Sequence, residues 1–470
     1  MIGFQAKTEH DLYNESLAPV EYNKRKVGYL GMGAIWFGIS VQVSGFLVMT
    51  PLLNYYTIGQ LFWIFGIGQA ILGLSSYIVQ EIGLKYGISF ATSIVASFGP
   101  LGGKIAGIVR IMPSAIFFGV NGYLGASAIN NVTRLLFGMD NMWFAIILNA
   151  ALLVIVTISG AKGIERFTSL AAPLLIIVGV YMFHILLKTY NVTLGEIMSL
   201  GKLSGHSRNW LFAFGVIIGN FASVAMGFND FSKDGKVKDG YKKSGYLHLT
   251  SYLICMVPSF IFYSILGCAV MVVVPGTTGG EILKVLTDIV AGQSKILAVL
   301  ISVFVFAAQL STNTAANLLP SVYVVCSLIP KYLKFKSATI LFAVIAVAIQ
   351  PWKIGNSLDS VLTIFGLTAG PVIAIIATDY YYFRKRKYSL DDIYQTNGKY
   401  YYFHGMNPAA MIAYVIGTII AFICFDYSYF ISLAATCLIY ILLAKYFGKT
   451  YPAIIKETAK DIKIESEDLK

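Results

Sequence analysis

Apolar runs of about 18 or more residues recur along this chain from end to end, each long enough to cross a bilayer as a helix. Uninterrupted apolar runs of that length point to an all-α integral membrane protein, because in lipid the backbone must satisfy its own polar groups. Composition agrees: 57% of the 470 residues are hydrophobic and 12% charged, far from soluble averages. About twelve spans are expected, at 29–53, 57–80, 104–134, 142–160, 167–188, 209–230, 246–274, 296–328, 336–350, 358–383, 407–425 and 428–446. They form one transmembrane domain, 29–446, between a polar segment, 1–28, and a charged tail, 447–470. The start lacks a signal-peptide pattern, so it is expected in the cytoplasm. Cys255, Cys268, Cys326, Cys424 and Cys437 are scattered through apolar segments, with no disulfide or metal spacing.

Charge sets the orientation. With the N-terminus inside, about 26 Lys and Arg fall on the cytoplasmic side and about 7 outside, which places both termini in the cytoplasm of a cell-membrane protein. The net charge of +12 is explained by basic residues flanking helices, without a nucleic-acid partner. Tyr and Phe at span ends, Tyr380 to Phe383 and Tyr400 to Phe403, read as interface anchors. The longer external segment 275–295 holds a short amphipathic helix from Glu281 to Leu286. It reads equally as a lid over an outer vestibule or as a plain surface loop.

Against this apolar background one stretch stands out. Gln309-Leu310-Ser311-Thr312-Asn313-Thr314-Ala315-Ala316-Asn317 has six polar side chains in nine residues. Each costs free energy in hydrocarbon unless it finds a partner, so this helix faces a site and not lipid. Hydroxyls and amides suit a small cation or a neutral polar solute.

Two other spans carry glycines and amides at mid-membrane depth: Gly38-Ile39-Ser40-Val41-Gln42-Val43-Ser44-Gly45 in the first, and Gly219-Asn220-Phe221-Ala222-Ser223-Val224-Ala225-Met226-Gly227 in the sixth. Five helices apart, they match the broken helices of an inverted-repeat transporter. Close packing alone would explain the glycines; Gln42 and Asn220 favour a site. In the third span Phe117 and Asn121 share a face, and Phe221 beside Asn220 repeats the pairing of ring and amide.

Mid-span carboxylates are absent from these helices. Glu81, Asp230 and Asp379 sit at cytoplasmic span ends, and Arg110 lies near the start of the third span. This argues against a proton pump built on buried carboxylates, and the lack of an evident buried counter-ion argues against a fully charged substrate. A neutral, planar, polar substrate fits. ATP drive within the chain is excluded by the lack of a phosphate-binding glycine loop, and no nucleophile–histidine pair supports enzymatic activity.

The chain resembles the nucleobase:cation symporter-1 family, which includes hydantoin, cytosine, allantoin and purine permeases. The matching stretches are Asn14 to Pro19, Lys85 to Phe90, Ala96 to Gly99, Phe118 to Asn121, Asn229 to Ser232, Ser311 to Leu318, Gly370-Pro371, and Asp379-Tyr380 with Arg384-Lys385-Arg386. The resemblance implies a leucine-transporter-like fold, two inverted five-helix repeats plus two C-terminal helices, and cation-coupled uptake by alternating access. It further implies a Na+ site made of the carbonyls of Gly38, Val41 and Ala308 with the hydroxyls of Ser311 and Thr312. Both hydroxyls are present, which favours Na+ over H+; no other cofactor is implied. Gln42, Phe117, Asn121, Gly219, Asn220, Phe221 and Asn317 would hold the substrate. Phe117 and Phe221 replace family tryptophans, Asn121 replaces a longer amide and Asn220 a glycine. These changes shift the expectation from hydantoin itself toward another compact heterocycle: a pyrimidine, a purine, allantoin or a vitamin ring. A proton-coupled permease, a passive facilitator and a non-transporting sensor are the alternatives. The intact hydroxyls speak against the facilitator and the short tails against the sensor. Membrane lipid is the other expected partner; the sequence leaves the oligomeric state open and is compatible with a monomer.

Overall fold

The computed structural model describes residues 11–40, 45, 49–159, 161–237 and 240–458, without the side chains of 161–175 and 355–359. Among the described residues there is no β-strand, only three isolated bridges. Among the described residues, eight helices are long and apolar enough to cross a membrane, and four apolar helices are shorter.

The elements used below are α1 (Tyr29–Ser40), α2 (Ile58–Tyr86), α3 (Phe90–Phe98), α4 (Pro100–Phe137), α5 (Met142–Ser159), α6 (Ala161–Tyr190), α7 (Trp210–Asn220) and α8 (Ala222–Met226). They continue with α9 (Tyr241–Val273), α10 (Ile282–Ala291), α11 (Lys295–Leu328), α12 (Phe335–Ala348), α13 (Leu358–Ala377), α14 (Pro408–Ile423) and α15 (Ser428–Phe447). α2 packs on α9, and α4 packs along α11. These are the second and seventh, and the third and eighth, of the apolar helices, the pairing a five-plus-five repeat produces.

Two loop helices fall at corresponding places in the two halves. No helix was expected between the spans 57–80 and 104–134, where α3 lies, and the second span was expected to end at residue 80, whereas α2 runs on to Tyr86. α2 stops where Gly87 takes a left-handed φ of 68°, which a side chain would strain. A Cβ there would also meet the Val20 carbonyl at 2.4 Å. The N-terminal segment thus lies against this turn, and Asn14 Nδ2 donates to the carbonyls of Pro330 and Leu333 at 3.0 and 3.1 Å. At the other end, α10 is longer than the expected short helix. It buries Ile282, Leu283, Leu286 and Val290 and is tied to α4 by Asn131–Thr287 (3.0 Å) and Arg134–Asp288 (2.5 Å). It is a docked helix, not a free surface loop.

The expectation that Tyr380 and Tyr400 anchor the chain at the lipid interface is not met: both are fully buried, whereas Tyr382, Tyr401 and Phe403 are exposed. The reason is a polar network at the basic end of the bundle. The Asp379 carboxylate accepts from Arg384 Nε (2.5 Å), Ser97 Oγ (2.9 Å) and Tyr440 OH (2.9 Å). Arg384 also reaches Glu457 at 3.0 Å, whose carboxylate takes the Tyr400 hydroxyl at 2.6 Å. A buried guanidinium needs such partners, so the hydroxyl of Tyr400 turns inward.

Candidate functional site

The site is built on two helices interrupted for identifiable reasons. α11 loosens into a π-turn at Thr314–Leu318, just ahead of Pro320. Proline has no N–H for the Ala316 carbonyl, and its ring crowds that carbonyl, so the ladder widens there. α9 repeats the device: a π-turn at Tyr252–Met256 precedes Pro258. The second interruption is in the sixth apolar helix. α7 ends at Asn220, where the Phe221 N–H turns back to the Ile218 carbonyl at 3.0 Å, and α8 begins at Ala222.

The interrupted part of α11 meets α1 and α4. Gln309, Ser311, Thr312, Asn313 and Asn317 are all buried. Thr312 Oγ1 donates to the Gly38 carbonyl at 2.8 Å, joining α11 to the end of α1. Ala308 is buried one turn before Thr312, and Ser311 beside it is buried and engaged. Val41 and Gln42 lie outside the described residues. The described donors are neutral carbonyl and hydroxyl oxygens, a set that fits a hard cation of low charge and not a transition metal. To coordinate an ion the Thr312 hydroxyl has only to turn its proton away from Gly38.

On the other face of α11, residues four apart line up along α4. Gln309 Nε2 approaches Asn121 Oδ1 at 3.4 Å, Asn313 Nδ2 donates to the Phe118 carbonyl at 2.9 Å, and Asn317 Nδ2 donates to Asn313 Oδ1 at 2.9 Å. Phe117 is buried one turn before Asn121. Among the described residues the Asn220 side chain has no hydrogen-bond partner, and its amide atoms are not sealed off. The Phe221 ring is set edge-to-face on Phe260 (4.9 Å, 71°), which lies against Phe65 (5.2 Å). No ring contact joins Phe117 to Phe221.

Gly219 has a packing reason of its own. A Cβ there would sit 1.7 Å from the Leu362 carbonyl, and one on Gly366 would sit 2.8 Å from the Gly215 carbonyl. α7 and α13 thus cross at backbone contact. Gly219 has no side chain to offer a solute and no room for one.

The sequence reading missed a buried ion pair below this site. Arg110 and Asp230 approach to 2.6 Å with side chains 1% and 2% exposed. Arg110 Nε donates to the Ser223 carbonyl at 3.0 Å, its guanidinium lies 4.6 Å from the Phe90 ring centroid, and Asp230 Oδ1 accepts the Phe90 N–H at 2.9 Å. Lys233 Nζ stands 3.9 Å from the Tyr323 ring centroid. These contacts join α4, α3 and α11 to α8 and the chain after it. An arginine inside an apolar helix was the signal for them. Arg110 is a buried cation after all, but one already neutralised by Asp230 and so not a counter-ion for an anionic solute.

Residues 19–443 match the sequence profile of the family described as permease for cytosine/purines, uracil, thiamine, allantoin. The chain is 32% identical to a hydantoin permease of Microbacterium maritypicum, covering 94% of this chain and 90% of the relative. It is 27% identical to an allantoin permease of Bacillus subtilis, covering 92% and 93%. A solved nucleobase-cation-symport-1 family transporter, in a closed conformation with bromovinylhydantoin bound, superposes with a TM-score of 0.88 at 31% identity, covering 94% of this chain and 97% of that one. A Na+-coupled sialic acid symporter superposes at 0.61 with 16% identity, covering 94% and 93%, a likeness of fold alone.

Proposed function

Because the chain belongs to the family of permeases for cytosine/purines, uracil, thiamine and allantoin, and is therefore a multi-pass membrane transporter and not an enzyme, we propose that it imports a neutral planar heterocycle together with Na+ by alternating access. The substrate is of nucleobase, hydantoin or allantoin type. The basic end of the bundle faces the cytoplasm with both termini, and the protein resides in the cell membrane. Gly38, Val41 and Ala308 give carbonyls to the ion, and Ser311 and Thr312 give hydroxyls. Gln42, Asn121, Asn220 and Asn317 read the ring's polar edge, Phe117 and Phe221 its faces, and Gly219 lets α13 close over it.

One observation carries this reading above the others: the 2.8 Å bond from Thr312 to the Gly38 carbonyl. It brings the interrupted α11 and the end of α1 together through oxygens alone, in the helix that also carries the amides. An ion there would strengthen the α1–α11 contact that borders the substrate, which is how ion and solute become coupled.

The reading is tested by a thermal-shift screen of purified protein with nucleobases, hydantoins, allantoin and vitamins, with and without Na+. A ligand that binds the native state raises its melting temperature. At least one neutral heterocycle is expected to do so, more strongly in Na+, while permanently charged analogues do not. A carboxylate or quaternary ammonium compound as the best ligand would contradict the neutral site.

Phe221 gives a second expected result. Stacking on a base is worth about 1–3 kcal/mol, so Phe221→Ala is expected to weaken binding at least several-fold and Phe221→Trp to retain it. The contact with Phe260 makes a packing role the competing account. Lowered melting temperature with unchanged affinity would assign Phe221 to packing.

A further inference from the structure

Asn313 stands outside the residues assigned to substrate, yet it is hydrogen-bonded to one of them, Asn317. Its carboxamide bridges the Phe118 carbonyl on one side and Asn317 on the other, each at 2.9 Å. A backbone carbonyl only accepts, so the end of Asn313 that meets Phe118 must be its NH2 group. The end that meets Asn317 is then its oxygen, and Asn317 must point an N–H at it. The direction of this relay follows from the Phe118 carbonyl and not from a choice between two look-alike amide atoms. Asn313 is 1% exposed, and turning its amide over would set its oxygen against the Phe118 carbonyl. What remains is Asn317 Oδ1, which accepts from no described residue and is not sealed off. The neighbouring pair lacks such an anchor: Gln309 meets Asn121 at 3.4 Å, with its own Oε1 unpartnered, and no carbonyl fixes its direction.

We propose that Asn313 is a positioning residue that sets the hydrogen-bond polarity of the site, holding Asn317 with its carbonyl oxygen toward the substrate. This rests on Asn317 as a substrate contact. The transported ring must then bring an unsubstituted N–H to that oxygen. Cyclic imides, ureides and lactams qualify, and rings with CH2, oxygen or a bare nitrogen there are rejected, because the Asn317 oxygen would be desolvated without a donor.

The test is a cycle between one ligand N–H and one side chain, read as Kd ratios on full-length protein. The probes are whichever of uracil, allantoin and hydantoin raises the wild-type melting temperature most, and its analogues in which each ring N–H in turn is replaced by CH2, all in their neutral forms. In the wild type one replacement is expected to weaken binding at least tenfold. In Asn313→Leu, of similar volume but without hydrogen bonds, that ratio is expected to fall below threefold at a near-normal melting temperature, because the freed Asn317 amide no longer insists on a donor. Asn313→Ser is read the same way if the leucine variant does not fold. A merely structural role would lower melting temperature and leave the ratio untouched. An unchanged ratio in a folded variant, or no tenfold ratio in the wild type, overturns the inference alone. A wild type that shifts with no planar heterocycle in the thermal screen overturns the substrate reading, and this inference with it.

Discussion

Asp230→Asn is expected to abolish uptake and to destabilise the purified protein more than any single change at the substrate face. The substitution leaves the Arg110 guanidinium buried beside a neutral amide. Breaking a buried pair in this way costs about 3–5 kcal/mol, a large part of the stability of most proteins. The loss bears on mechanism as well as stability. Arg110 and Asp230 join α4 to the chain after α8, and Phe90 and Ser223 complete the contact. On the proposed orientation this contact lies between the substrate face and the cytoplasm, so under alternating access it is expected to loosen for release. The companion variant separates the two effects. Arg110→Met combined with Asp230→Asn leaves no uncompensated charge, so most of the lost melting temperature is expected to return while uptake stays low. A double variant as unstable as the single ones would show that the ion pair is not what the single changes disturb.

Thr312→Ala is the second large effect. It removes one neutral oxygen from the proposed ion site, together with the 2.8 Å tie to the Gly38 carbonyl. The Na+ concentration that half-saturates substrate binding is expected to rise at least tenfold, or about 1.4 kcal/mol. Thr312→Ser keeps the hydroxyl and is expected to stay close to wild type. Substrate affinity at saturating Na+ should change little in either variant, since neither touches the ring. Titrating Na+ at fixed substrate in wild type and both variants measures this. Equal Na+ dependence in wild type and Thr312→Ala would remove Thr312 from the ion site.

Much of the fold was legible because lipid imposes strong rules. Apolar runs announced the helices, and the polar run from Gln309 to Asn317 announced a helix whose polar side chains lie inside the protein, as their burial shows. What stayed hidden depends on distance between segments far apart in the chain. Asp230 reads as an ordinary span-end carboxylate until α8 carries it back to Arg110, 120 positions earlier by number. The burial of Tyr400 depends on Glu457, beyond the last apolar helix. At Gly219 the sequence shows only a glycine; its close packing on another helix appears only with the Leu362 carbonyl in the space a Cβ would need. Asn313 was visible as polar, but the direction of its hydrogen bonds depends on a backbone carbonyl of another helix.

The central claim, that a planar heterocycle and Na+ are bound together, is tested most directly by substrate affinity in Na+ and in choline buffer at one fixed pH. By linkage the ion must tighten the substrate by the same factor as the substrate tightens the ion. The account predicts affinity at least severalfold tighter in Na+, with the difference in Thr312→Ala recovered only at Na+ concentrations at least tenfold higher. Equal affinity in Na+ and choline, with affinity that instead rises as pH falls, would contradict it and assign the coupling to protons.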